Sequence, residues 1–186
     1  MNNTPLLKQK YHREIIPQLK KQLGYNSHMQ VPKLKKITIN QCLGAKATTK
    51  HLEQSIKELT LITGQKAVIV RSKKNISNFN LKKNVPIATK VTLRHKKMYI
   101  FARNLIDIYL PRIRNFRGIN PNGFDKQGNY TLGIKEQIIF PEINIDKILK
   151  LEGMNITFTI SCKKREQAKT LLRLMNFPFT DMHNPQ

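Results

Sequence analysis

At 186 residues, with 39% hydrophobic and 24% charged positions, the chain is long and apolar enough to bury a core, which excludes a disordered polypeptide. Its 34 Lys plus Arg face only 11 Asp plus Glu, a formal charge of +23 that repels itself in a compact state and calls for an assembly that neutralises it. No apolar run approaches the roughly 20 residues of a membrane span, and Cys42, Cys162 and five scattered histidines lack metal-ligand or redox spacing, so no membrane, metal, cofactor or small-molecule substrate is expected.

The first residues, Met-Asn-Asn-Thr-Pro, read as neither a secretory h-region nor a transit peptide. Leu7, Tyr11, Ile15, Leu19 and Leu23 recur at helical spacing, so a helix is expected over residues 6–23, kinked or split at Pro17 and stopped by Gly24. Lys35 to Asn40 alternates as a strand with Ile37 and Ile39 inward. A second helix runs from His51 to Thr63 and ends at Gly64. A short buried strand, Ala67 to Val70, and another, Ile87 to Arg94, flank a basic, Asn-rich excursion from Ser72 to Lys83 around Phe79. Met98 to Leu110 is a third helix closed by Pro111. Residues 115–129 are irregular, and regular structure resumes over 130–141. Asn155 to Ser161 alternates as a strand, and Arg165 to Met175 is a last amphipathic helix. No repeat or flexible linker interrupts this order. It reads as a single α+β domain over residues 1–179, an antiparallel sheet with helices packed on one face and an open face that binds RNA, followed by a short polar tail over 180–186.

Between Glu58 and Asp107 there is no acidic residue, yet that ordered stretch carries eleven Lys and Arg, from Lys66 to Arg103. One-sided charge inside folded structure points to a polyanion. In the excursion, Arg71, Lys73, Lys74, Lys82 and Lys83 can meet phosphates while Phe79 stacks on a base; the bland alternative is a hairpin tip whose Phe79 tucks back onto the core. Asn40, Gln65 and Thr92, on or beside strands, can address ribose, phosphate and base edges. Arg112, Arg114 and Arg117 form a cationic comb after Pro111. Gly118 and Gly123 have phosphate-loop spacing but lack the Lys-Ser/Thr that such a loop needs. No nucleophile, base and orienter can be assembled, and carboxylates do not pair at catalytic spacing, which excludes an enzyme.

Four stretches carry a family resemblance: Tyr11-His-Arg-Glu-Ile-Ile-Pro17; Val31-Pro-Lys-Leu-Lys-Lys-Ile-Thr-Ile-Asn40; Leu61-Ile-Thr-Gly-Gln-Lys66; and Arg114-Asn-Phe-Arg-Gly118 with the run from Asn129 to Glu142. In one register from about Leu7 to Phe179 the chain resembles the family of the fifth protein of the large ribosomal subunit, of bacterial or plastid type. The resemblance implies a non-enzymatic constituent of the central protuberance that binds 5S rRNA and joins it to large-subunit rRNA. It implies 5S rRNA contacts at Asn40, Gln65 and Thr92, supported by Lys90 and Arg94. It also implies a loop reaching P-site tRNA, here Arg71, Lys73, Lys74, Asn75, Asn78, Phe79 and Lys82, with Asn75 and Asn78 replacing the usual small residues. A bridge to large-subunit rRNA and to small-subunit ribosomal protein thirteen is expected around Arg112, Arg114, Arg117, Asn129 and Tyr130. The Lys, Asn and Ile content suggests an AT-rich genome, with plastid stroma favoured and bacterial cytoplasm the alternative. An RNA-binding regulator off the ribosome would use the same basic surface, and composition leaves it open.

Overall fold

Alternation along the first strand, β1 (Lys33–Cys42), organises the sheet: Ile37, Ile39 and Gln41 are buried on one face, and Thr38 and Asn40 are half-buried on the other. The computed structural model describes residues 5–44, 48–162 and 164–180. Five strands make an antiparallel sheet with helices packed on it, in the order β2-β3-β1-β5-β4, where β2 is Val68–Arg71, β3 Pro86–Leu93, β4 Tyr130–Ile134 and β5 Met154–Ser161. The described residues group into two compact units, one drawn from 1–37, 94–132 and 157–186, the other from 38–93 and 133–156.

In the second unit, helix α3 (Thr49–Thr63) lies against β3 and β2. Thr48 caps its start by accepting from the His51 amide, and Gly64 ends it at φ +60°, where a side chain would be strained. Leu52, Leu59 and Ile62 bury their side chains, and between them Ser55 hydrogen-bonds Gln41 Oε1 (2.9 Å) and the hydroxyl of Thr89. Strand β2 pairs with β3 in antiparallel register, Val68 opposite Lys90, Ile69 opposite Thr89 and Val70 opposite Ala88. The strand expected at 67–70 is therefore present, but it is not buried: it is an edge strand, Val68 is 67% exposed, and of that stretch only Ala67 is buried.

The same unit gathers a buried polar cluster. Gln137 accepts from the Glu152 amide and donates to the Lys150 carbonyl at 2.8 Å, fixing the segment that carries Glu152. The Glu152 carboxylate lies 3.5 Å from His51 Nε2 and 3.3 Å from Lys150 Nζ. Glu58, buried on α3, has its carboxyl pushed up, chiefly by loss of water and further by the Glu152 charge, against the Gln54 hydrogen bond and His51.

In the first unit, α1 (Leu6–Lys10), a π-helical turn (Tyr11–Ile15) and α2 (Ile16–Leu23) follow without a break. Pro17 does not split this helix, because the widened turn before it takes up the strain between the proline ring and the carbonyl four residues back. Leu7, Tyr11, Ile15 and Leu19 are buried as their spacing predicts. Helix α4 (His95–Asn104), which α1 contacts, continues through a second π-helical turn, Leu105–Tyr109, and Pro111 lies inside a final 3-10 turn, Leu110–Arg112, not beyond the helix. Helix α5 (Arg165–Leu174) contacts α2. Phe124, Tyr130, Phe158, Phe177 and Phe179 form a ring cluster with centroids 4.7 to 6.3 Å apart. The irregular 115–129 segment is bolted to the chain end: Ile119 donates to the Pro178 carbonyl at 2.7 Å and accepts from Thr180 at 3.1 Å. Residues 181–186 of the expected tail lie outside the described residues.

Two outcomes test this packing. A methyl group on Gly128, which has φ +81°, would overlap Cys162 Sγ, so Gly128→Ala should cost about 1–3 kcal/mol in denaturant unfolding, and Cys162→Ala should recover part of it. Glu58 has its folded-state affinity for a proton raised, so its contribution favours folding at low pH and is lost as pH rises through the folded pKa. Glu58→Gln should therefore raise the melting temperature at neutral pH, and the gain should vanish below the ordinary carboxylate range.

Candidate nucleic-acid interface

Strand β3 turns Thr89, Val91 and Leu93 inward under α3 and leaves Lys90 exposed and Thr92 half-buried on the opposite face. Asn40 stands on the same open side of β1, the neighbouring strand. Three of the five expected 5S rRNA residues thus share one face of one unit. Val68, the cross-strand partner of Lys90, adds an exposed apolar surface beside it that the sequence reading missed; four strand residues are too few for a period of two to declare itself. Gln65 has another task. Its amide nitrogen donates to the Thr92 carbonyl at 3.0 Å, tying the residue after α3 to the end of β3. Arg94, exposed, is the residue after β3 and precedes α4 in the other unit.

The excursion between β2 and β3 is an ordered loop. Ser72 and Asn84 close its base through paired backbone bonds to Val85 and Ser72, the Ser72 hydroxyl donates to the Lys82 carbonyl, and Ile76 pairs with Leu81 across it. A single 3-10 turn, Ser77–Phe79, forms the tip, followed by Asn80 at φ +50°, a conformation Asn tolerates better than most residues. Phe79 is 71% exposed, so it does not tuck back onto the core. Lys73, Lys74, Asn78 and Lys82 are exposed around it. Two of the expected contact residues shape the loop instead: Asn75 Oδ1 accepts from the Lys83 amide at 2.7 Å, and Arg71 Nη1 donates to the Asn84 carbonyl at 3.0 Å.

Of the expected bridge residues, Arg112, Arg114 and Arg117 are exposed. Tyr130 is buried, so it is not a surface contact, and Asn129 is half-buried. Tyr130 is 1% exposed within the aromatic cluster, donates its hydroxyl to the Asn120 carbonyl at 2.9 Å and has its phenol pushed up to about 12 by burial. Asn129 donates to both Asp125 oxygens at 2.7 Å and accepts from the Ile160 amide at 3.3 Å, so it closes the turn before β4. In the second unit, a groove of about 670 Å³ beside α3 is lined by Leu61, Ile143 and Leu149, by Glu53, Glu58 and Glu142, and by Lys50 and Lys57, with Leu61 and Leu149 largely exposed. Apolar, acidic and basic groups meet there, whereas no carboxylate falls within the arginine comb at residues 112–117. Among the described residues, no group of three His, Cys, Asp or Glu could hold a metal ion, and no helix is long and apolar enough to cross a membrane.

Residues 27–82 match the family model for ribosomal protein L5, and residues 86–179 match that for the ribosomal L5P family C-terminus. The chain is 52% identical over 174 residues to the large ribosomal subunit protein uL5 of Alkaliphilus oremlandii, covering 93% of this chain and 97% of the relative. It is 56% identical over 180 residues to uL5 of Parabacteroides distasonis (96% and 97% covered) and 50% identical over 174 to that of Thermus thermophilus (93% and 96%). These relatives are bacterial and lend the plastid preference no support.

The loop geometry makes one expectation concrete. Asn75→Ala removes the acceptor that holds the Lys83 amide, so amide hydrogen exchange across residues 73–84 should accelerate, while global stability falls by about 1 kcal/mol or less. Unchanged exchange would show that the loop holds its shape without that bond.

Proposed function

The chain belongs to the ribosomal protein L5 family and is a structural constituent of the large ribosomal subunit, not an enzyme, and from that premise we propose that its open sheet face binds 5S rRNA and helps attach it to large-subunit rRNA in the central protuberance. The observation that carries this reading is the alternation of β3, with Lys90 and Thr92 outward beside Asn40, inside a span without a carboxylate from Leu59 to Ile106. Asn40 and Thr92 offer hydroxyl and amide groups to ribose and base edges, and Lys90 with Arg94 meets phosphates. Gln65 acts one step back, by holding the Thr92 backbone. Phe79 at the loop tip, with Lys73, Lys74, Asn78 and Lys82 around it, suits the stacked base and backbone of P-site tRNA. Arg112, Arg114 and Arg117 suit rRNA phosphates. The intersubunit protein contact, with small-subunit ribosomal protein thirteen as the proposed partner, fits the groove beside α3, where exposed Leu61 and Leu149 offer apolar anchors amid charges of both signs, Glu53 and Glu142 with Lys50 and Lys57.

Asn40→Ala with Thr92→Ala should weaken 5S rRNA binding by about tenfold or more while leaving the circular-dichroism melt nearly intact, whereas Gln65→Ala should lower both, since it removes a tertiary hydrogen bond. Wild-type affinity should fall steeply with salt as phosphate counterions are released. An unchanged double variant overturns the assignment of the sheet face; a flat salt response overturns RNA binding itself.

A further inference from the structure

The π-helical turn Tyr11–Ile15 builds a second surface, in the other unit. Its widened backbone displays His12 outward while the Tyr11 hydroxyl donates to the Pro32 carbonyl at 3.0 Å, which fixes the turn against the segment that leads into β1. Between them opens a groove of about 440 Å³. Buried Val31 and half-buried Ile16 line it, and Pro17 lends it an exposed apolar ring. His28 and Met29 stand on the 3-10 turn His28–Gln30, whose start Ser27 caps by accepting from the Met29 amide at 3.3 Å. Met29 is 85% exposed, an unbranched apolar side chain presented to solvent by a capped, ordered turn.

We propose that this groove receives one unstacked base of large-subunit rRNA, an inference that rests on the RNA-binding reading above and adds a second attachment point to it. The volume falls in the range of about 300–1,000 Å³ typical of small-molecule pockets, which leaves room for one base. Pro17 and the Met29 thioether supply apolar faces for the base, and the His12 and His28 imidazoles can stack on it or bond its edges. Lys33 lines the same groove, and no carboxylate does, so its ionic character suits a phosphate and repels a basic protein segment. Glu14, on the same turn, lines a different groove with Arg103 and Asp107. π-helical turns recur at functional sites, and this one is where the histidine is displayed.

Short-wave ultraviolet crosslinking of assembled large subunits should yield a nucleotide adduct on the peptide containing His28 and Met29, and the attached sequence should come from large-subunit rRNA. Met29→Glu, at an exposed position where folding is unaffected, should reduce joining of the 5S rRNA complex to large-subunit rRNA by about tenfold or more, with 5S rRNA affinity unchanged within about twofold. Absence of the adduct together with normal joining overturns the proposal, as does a crosslink from this peptide to a protein. Loss of 5S rRNA affinity in a folded Met29→Glu protein overturns it too, since the groove would then belong to the 5S surface. Failure of the wild-type protein to bind 5S rRNA is a different result and strikes the sheet-face reading alone.

Discussion

The hydroxyl of Ser55 is the peg on which the candidate RNA surface depends. It sits between α3 and the covered side of the sheet, bonded to Gln41 on β1 and Thr89 on β3. Polar groups at that depth cost about 1–3 kcal/mol each when left unpaired, so this contact holds only in one register. A slip of β3 by a single residue would send Thr89 to solvent and drive Lys90 under the helix, where an ammonium has no partner. The alternation that presents Lys90 and Thr92 outward is thus enforced from the opposite side of the sheet. Gln65 adds a second constraint by gripping the Thr92 carbonyl, so the outward residues stand on a strand held at both its middle and its end.

Charge is sorted by the same architecture. Within the second unit, the open face and the loop carry cations, while Glu58 and Glu152 lie on the helix side with His51 and Lys150 beside them. An acid on the open face would compete with phosphate for the same lysines. Glu152, 3.5 Å from His51 Nε2, instead links the segment after β4 to α3. In that unit the buried acids thus lie away from the face that carries the lysines.

Much of this could be read along the sequence wherever one face of one element is self-sufficient. Ile37 and Ile39 in β1, Leu52, Leu59 and Ile62 in α3, and Leu7 through Leu19 in the first helix follow simple periods and are buried accordingly, while Ile56, on the same expected face of α3, is only half-buried because Ser55 and Glu58 turn inward beside it. The site was legible in its strand residues for the same reason: Lys90 and Thr92 alternate with Val91 and Leu93. What escaped depends on partners far along the chain. Tyr130, at the start of the regular stretch over 130–141, gives no sign of its burial until Phe124, Phe158 and Phe179 close around it. Gln65 looks available for RNA until Thr92, 27 residues on, takes its amide. Asn129 carries a local signal in the sequence, an aspartate four residues earlier able to close its turn. The π-helical turns have no signal of their own beyond Pro17, whose steric demand is as easily met by a kink.

Three strands belong to both compact units. The unit boundary falls within β1 after Ile37, within β4 after Leu132 and within β5 after Ile156. The two family models, by contrast, divide between residues 82 and 86, inside the loop that one unit contains whole. Neither division therefore yields an exchangeable module. Cutting at the unit boundary severs three backbones in mid-strand, and cutting at the sequence boundary separates β2 from the strand it pairs with. A fragment ending at either boundary would therefore leave strand edges without their partners, so the chain folds as one covalent unit.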